Sequence, residues 1–234
     1  MRDLFLLNAV TVLWGTQHAV IKLILQSDLS PGMTNLARFG LAAVVFSPWT
    51  PGLLRHPPPL PFSPKEDIDV DGGAGEHEEG EEERATSELL GADAPEAGGD
   101  FVGIGETWRA GAELGGWMFL GFGFQAIGLG FTTASRSAFL LYLNVKLVPF
   151  FAFLLERRSI SIPTWVGAFL AFFGTVLLSS DGTPPNVGDF WSILAAATSA
   201  MFILRLEKYT GRCEASQLNS ANLWVTAGLC SLWA

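Results

Sequence analysis

Polar side chains recur on one stripe of the first apolar segment of the chain. Asn8, Thr11, Gly15, His18 and Lys22 are spaced by three or four residues, so they share one face of a helix. Polar groups in an apolar helix are costly unless they face a cavity or a partner. The stripe therefore indicates either the wall of a water-filled pathway or hydrogen bonds between helices. For Lys22, near the helix end, we favour snorkelling to the surrounding interface.

Apolar segments further along the chain contain isolated polar groups as well. Gln125 shares a helical face with Gly128, Tyr142 shares one with Lys146, and Arg38 is a cation within an apolar run. No acidic residue lies inside these runs, so an anionic group of a solute or an acid from another chain would have to neutralise the cations. The candidate pathway residues are Asn8, Thr11, Trp14, His18, Lys22, Arg38, Gln125, Tyr142, Asn144 and Lys146.

The sequence does not show the residue patterns that catalysis, metal binding or nucleotide binding would require. Cys213 and Cys230 stand 17 apart without metal-ligand spacing, and His18 is the one histidine in an apolar run. No Gly-Lys-Ser/Thr loop for a nucleotide phosphate occurs. We therefore predict no catalytic residue, no metal site, no cofactor and no nucleic-acid partner. An intramembrane enzyme, which needs paired acids or a histidine cluster within its helices, is the least favoured class.

Seven apolar stretches must position the candidate residues. A bilayer core requires roughly 20 apolar helical residues, and 49% of this 234-residue chain is hydrophobic. We predict an all-α membrane protein with about seven transmembrane helices in contact with the lipid bilayer. Spans 1 to 7 are about Leu4–Leu25, Met33–Trp49, Leu114–Phe131, Ala134–Leu155, Ile162–Ser179, Asp189–Leu204 and Gln217–Trp233.

The spans divide the chain into four regions. Residues 1–52 contain spans 1 and 2, residues 113–180 contain spans 3 to 5, and residues 187–234 contain spans 6 and 7. Residues 53–112 form an acidic insertion. Between Glu66 and Glu113 lie 16 of the 23 acidic residues and two basic ones, a net charge of −14. Such dense like charge predicts disorder, and a tolerated insertion is favoured over a regulatory tail.

Lysine and arginine placement predicts the orientation. Arg2, the acidic insertion, Arg157 and Arg158, and the group from Arg205 to Arg212 fall on one side, whereas Arg136 falls on the other. Positive residues accumulate on the cytoplasmic side, so the N-terminus and the acidic loop are expected there. Both the plasma membrane and an organelle envelope remain open as the host membrane.

A weak internal repeat relates the start of the chain to its end. Asp3 aligns with Asp189 and Lys22 with Lys208 at an offset near 186, and Asn35 aligns with Asn222. The offset indicates a five-helix unit followed by the first two helices of a second copy. Because five is odd, the second copy is inverted, as in many secondary transporters. Three further helices would complete it.

Residues 132–157, Thr-Thr-Ala-Ser-Arg through Glu-Arg, resemble the signature of the EamA domain of the drug/metabolite transporter superfamily. Trp165-Val-Gly167, Trp14-Gly15-Thr16 and the Ser30-Pro31 pair ahead of Arg38 extend the resemblance. It implies ten helices in two inverted five-helix repeats around a central cavity. It also implies movement of small organic solutes such as amino acids and purines.

The resemblance favours a transporter that moves small solutes by alternating access, present here in a C-terminally truncated form. If the chain does end at Ala234, a second copy or another chain would have to complete it as a homo- or hetero-oligomer. A seven-helix receptor fits the helix count, but its N-terminus usually lies outside the cell. A non-transporting membrane scaffold is the other alternative.

Overall fold

The computed structural model describes residues 8, 16–24, 30–53, 103–157, 162–179, 184 and 186–234, and within these ranges the regular secondary structure is helical, without strands. Helix α1 is described over residues 16–24, and a short 3-10 helix, Ser47–Trp49, follows α2. The remaining helices are α2 Pro31–Val45, α3 Ile104–Phe131, α4 Ala134–Leu141, α5 Leu143–Glu156, α6 Ile162–Ser179, α7 Val187–Thr210 and α8 Ala215–Trp233. The predicted all-helical fold is confirmed.

Short polar residues cap free backbone N–H groups at the start of three helices: Ser30 at α2, Thr133 at α4 and Asn186 at α7. The Ser30 hydroxyl accepts from Met33 N, and Pro31 occupies the first turn of α2, where its missing N–H costs no bond. At the start of α7, the side chain of Asn186 accepts from Asp189 N and the Asp189 carboxylate accepts from Asn186 N. This reciprocal pair is a capping box, and it places Asp189 in the first buried turn of α7.

Helix α3 is the centre of the bundle, because α7 and α8 both pack along it and α2 packs on α8. Small residues permit the close approach. A Cβ added to Gly111 would lie 2.5 Å from Ala221 Cβ on α8, and one added to Gly188 on α7 would lie 2.8 Å from Gly128 O. Gly130, by contrast, has open space around it.

Several boundaries differ from the sequence prediction. Helix α2 ends at Val45 rather than at Trp49, and α7 runs to Thr210 rather than to Leu204. Helix α3 begins at Ile104 rather than near Leu114, so residues 104–112, predicted as part of the acidic insertion, are helical. Thr107, Ala110 and Gly111 are buried there, which explains the extension. Span 4 is divided at Tyr142 into α4 and α5. Residues 54–102, the rest of the acidic insertion, lie outside the described residues.

Three of the described helical stretches are long and apolar enough to cross a membrane: Ile104–Phe131, Ala134–Leu155 and Val187–Thr210. Helix α6 has the predicted bounds of span 5 and exposes apolar side chains, including Ile162 (78% exposed) and Leu177 (77%). Apolar groups that remain exposed in the bundle suit contact with lipid.

Candidate functional site

A buried hydrogen bond joins two of the predicted pathway residues between α1 and α3. His18 Nε2 lies 2.9 Å from Gln125 Nε2, and the two residues are 9% and 2% exposed. Because Gln125 offers an N–H donor at that atom, the imidazole nitrogen acts as the acceptor. The polar stripe of α1 and the polar face of α3 therefore meet at His18 and Gln125.

Lys22 lies at the far end of the same α1–α3 contact. Its ammonium donates to Leu129 O and to Thr132 O, the latter at 3.0 Å. These carbonyls belong to the last turn and C-cap of α3, where the helix dipole favours a cation. Lys22 thus caps the C-terminal end of α3. The sequence alone favoured a lysine that extends to the bilayer surface, and the structure differs on this point.

Arg38 of α2 approaches the same region from the other side. Its Nη2 donates to Gln17 Oε1 at 3.3 Å, and its guanidinium carbon lies 5.1 Å from the centre of the Phe122 ring on α3. Asn35, one turn earlier on α2, donates to Phe122 O at 3.2 Å. We call the group of His18, Lys22, Asn35, Arg38 and Gln125 the α1–α3 cluster.

The remaining predicted pathway residues lie elsewhere. Tyr142 stands at the break between α4 and α5, and Lys146 Nζ donates to Tyr142 O at 3.3 Å. Lys146 also lines an apolar groove of about 170 Å³ between α5 and α6, beside Phe150 and Trp165.

Asn144 belongs to α5 as well, and its buried Oδ1 has no hydrogen-bond partner among the residues that the structure describes. Asn8 is helical and exposed, while Thr11 and Trp14 lie outside the described residues. Of the predicted set, the structure brings His18, Lys22, Arg38 and Gln125 together in the α1–α3 cluster and places Lys146 in the α5–α6 groove.

A second polar network, which the sequence reading did not anticipate, joins α3, α4 and α7. Arg136 Nη2 lies 2.7 Å from Asp189 Oδ2, with side-chain exposures of 10% and 9%. Thr132 donates to Asp189 Oδ1 at 3.2 Å, and Ser192 donates to Ser137 at 3.0 Å. From the sequence, Arg136 indicated the orientation of the chain in the membrane. A sequence signal for the position of Asp189 was its spacing of three residues from Asn186, which is that of a capping box.

The opposite end of the α3–α7 pair holds a more open group of charges. Glu113 pairs with Arg205 at 3.2 Å and accepts from Tyr209 OH at 2.5 Å. A cleft of about 220 Å³ opens beside these residues and is also lined by Glu106, Arg109, Lys208, Arg212 and Cys213.

Cys213, in the turn between α7 and α8, is only 3% exposed. Burial raises the pKa of its thiol above the ordinary value, against the lowering effects of a hydrogen bond with Thr107 and the charge of Arg212. The thiol is therefore protonated and weakly nucleophilic near neutral pH.

Comparison with known proteins finds a family match in the middle of the chain. Residues 112–180 match the EamA-like transporter family. An uncharacterized transporter of Archaeoglobus fulgidus is 24% identical over 204 residues, which cover 87% of this chain and 48% of the relative. The chain thus spans about half the length of that curated relative. No solved structure matches the chain. The EamA resemblance predicted from residues 132–157 is confirmed by the family match.

Proposed function

Since residues 112–180 form an EamA-like transporter region, we propose that this integral membrane protein moves small organic solutes by alternating access, with the α1–α3 cluster on the solute's route. The buried His18–Gln125 hydrogen bond is the observation that carries this proposal. Polar groups inside transmembrane helices usually line substrate pathways or pair with one another. Here such groups from three helices converge on one interior region.

The hydrogen-bonding capacity of the cluster supports a route for polar solutes. His18 and Gln125 both retain donor or acceptor sites beyond their mutual bond. A solute that replaced this bond with its own polar groups would leave neither side chain unsatisfied. Movement of such a solute requires no covalent chemistry, so no catalytic residue is part of the proposal.

An inverted repeat is part of the same proposal and has one structural support. Asn35 on α2 and Asn222 on α8, which the repeat aligns, are both buried and both donate to α3. Asn35 donates to Phe122 O and Asn222 to Met118 Sδ. Helices that occupy equivalent places in two halves of a transporter are expected to pack in this related way.

We further propose that the open charged cleft near Glu113 faces the cytoplasm. Arg109, Arg205, Lys208 and Arg212 gather at this end of the bundle, as the positive-inside tendency requires. An epitope at the N-terminus, which the orientation places on the same side, should be inaccessible from outside intact cells. Labelling of that epitope on intact cells would contradict the orientation.

The transport proposal is tested by uptake of a radiolabelled metabolite panel into vesicles that contain the full protein. Gln125→Leu removes the partner of His18 and is expected to lower uptake at least about tenfold, the effect of losing a buried polar contact to solute. Gln217→Leu is the matched control, because Gln217 donates to Glu214, the N-cap of α8, through an exposed hydrogen bond away from the α1–α3 cluster. Absence of uptake across the panel, or equal uptake by the two variants, would refute the proposal.

A further inference from the structure

Arg38 is the cation of the α1–α3 cluster whose hydrogen bonding is incomplete. Its Nη2 donates to Gln17, but its buried Nη1 has no hydrogen-bond partner in the described part of the chain. The Oδ1 atom of Asn35, one turn away on α2, is also buried and has no hydrogen-bond partner among the described residues. Unsatisfied buried polar atoms are expensive. This face of α2 therefore presents one unused donor and one unused acceptor.

The charge of Arg38 is equally uncompensated. Phe122 and Phe39 lie 5.1 and 5.5 Å from its guanidinium carbon. Aromatic faces attract a cation without neutralising it. Among the described residues no acid forms an ion pair with Arg38, whereas Asp189 pairs with Arg136 and Glu113 with Arg205. A partly buried cation without an ion pair favours binding of an anion.

The two remaining basic residues of the cluster already have hydrogen-bond partners. Lys22 donates to two carbonyls at the end of α3, and His18 is bonded to Gln125. Their contacts are internal to the protein and need no outside partner. Arg38 is thus the residue of this cluster that has both a charge and a hydrogen-bond donor to offer to a solute.

We propose that Arg38 binds an oxyanion of the solute, a carboxylate or a phosphate, so that the transported class is small organic anions. The guanidinium fork matches both groups and forms charge-assisted hydrogen bonds with them. Asn35 Oδ1 accepts a hydroxyl or amine donor beside the anion, since residues three apart on a helix are neighbours. This inference rests on the proposed function, because it assigns the solute that the α1–α3 cluster selects.

The test is ligand binding to the full protein in lipid nanodiscs, followed by thermal unfolding and tryptophan fluorescence. The probes are matched pairs at millimolar concentration: benzoate with benzamide, succinate with succinamide, and phenyl phosphate with phenol. At least one anion is expected to bind about 10- to 100-fold more tightly than its neutral partner, the value of a charged hydrogen bond. The carboxylate and phosphate arms identify which oxyanion is preferred.

Substitutions assign the preference to Arg38. Arg38→Gln should abolish the discrimination between anion and neutral partner, and Arg38→Lys should keep part of it because the charge remains without the fork. Arg205→Gln, which removes a partnered arginine, should leave it unchanged. Equal binding of neutral partners, discrimination that survives in Arg38→Gln, or absence of binding by every probe would overturn the inference.

Uptake separates failure of this inference from failure of the proposed function. Uptake of neutral solutes that is insensitive to Arg38→Gln would preserve transport and overturn the anion assignment. Binding of anions without uptake of any of them would preserve the anion site and refute transport. The two claims therefore fail on different measurements.

Discussion

Two arginines show how the two polar regions of the molecule differ. Arg136 is bonded to Asp189 at 2.7 Å, in a network that also includes Thr132. Arg38 has an amide and two aromatic rings around it and no ion pair in the described part of the chain. Both guanidinium groups are at least partly buried, but only the first is neutralised by the protein. The difference supports a structural role for Arg136 and agrees with the binding role proposed for Arg38.

The regions also differ in what surrounds them. The Arg136 network lies where Gly128 and Gly188 bring the backbones of α3 and α7 together. Close backbone contact and a completed ion pair favour a single rigid arrangement. In the α1–α3 cluster, by contrast, Arg38 contacts an amide and two aromatic rings and has no ion pair among the described residues. A region of the second kind can exchange internal contacts for contacts with a solute.

The largest expected effect comes from breaking the Arg136–Asp189 pair. Asp189→Asn leaves Arg136 buried without its counter-charge and is expected to lower the free energy of unfolding by about 3 kcal/mol. Chemical unfolding in detergent measures this change. Glu113→Gln is the control, since its pair with Arg205 is about one-third exposed and should contribute less than about 1 kcal/mol. Equal losses in the two variants would erase the distinction between the two pairs.

Next in size is the close contact between α3 and α7. In Gly188→Ala the new Cβ would lie 2.8 Å from Gly128 O and from Thr132 N. Backbone atoms cannot give way like a flexible side chain, so a loss of about 2 kcal/mol in unfolding free energy is expected. Gly130→Ala, with open space around the site, should instead be neutral or stabilising by up to about 1 kcal/mol. A stable Gly188→Ala variant would mean that the helices do not approach so closely.

Arg38→Gln tests the same comparison at the arginine that has no ion pair among the described residues. Because no internal ion pair is lost, the unfolding free energy should change by less than about 1 kcal/mol, the value of the aromatic contacts. The same unfolding assay provides the measurement, with Asp189→Asn as the reference for a paired site. A loss as large as that of Asp189→Asn would show that Arg38 is a structural residue too.

The smallest effect concerns Cys213. In a Cys230→Ala background its thiol should react with a maleimide at higher pH in the folded protein than in the denatured protein, because burial raises its pKa. The sign for stability follows from linkage: this contribution is complete below the pKa of the unfolded thiol and is lost as pH rises through the folded pKa. A labelling midpoint at or below that of denatured protein would contradict the burial of Cys213.

The sequence predicted apolar helices better than charged ones. Helix α6 matches its predicted bounds because it is apolar from Ile162 to Ser179. The start of α3 was predicted ten residues late, since charges such as Glu106 and Arg109 made residues 104–112 look like part of the acidic insertion. Those charges line the open cleft while Ala110 is buried. Which helical neighbour covers a mixed face depends on tertiary packing, which helical periodicity does not encode.

The candidate site was predictable as a set of residues but not as a set of partners. The periodicity of α1 and α3 placed His18 and Gln125 on polar faces, yet nothing in the spacing indicated that the two faces meet. Lys22 looked like a residue that reaches the interface, because the sequence does not show where the carbonyls at the end of α3 lie. From the sequence, Asp189 marked the start of span 6 and Arg136 indicated the orientation in the membrane. Neither role predicted that the two side chains would pair.

The most direct test of the central claim is solute access to Gln125. In a protein with Cys213 and Cys230 replaced by Ala, Gln125→Cys is treated with a small charged methanethiosulfonate, and the extent of modification is followed by mass spectrometry. Ala126→Cys, equally buried on α3, is the control. If the α1–α3 cluster lies on the route, Gln125→Cys will be modified, a solute that the parent protein transports will slow the reaction, and Ala126→Cys will not react. Unmodified Gln125→Cys, or a rate of modification that no transported solute slows, would contradict the account.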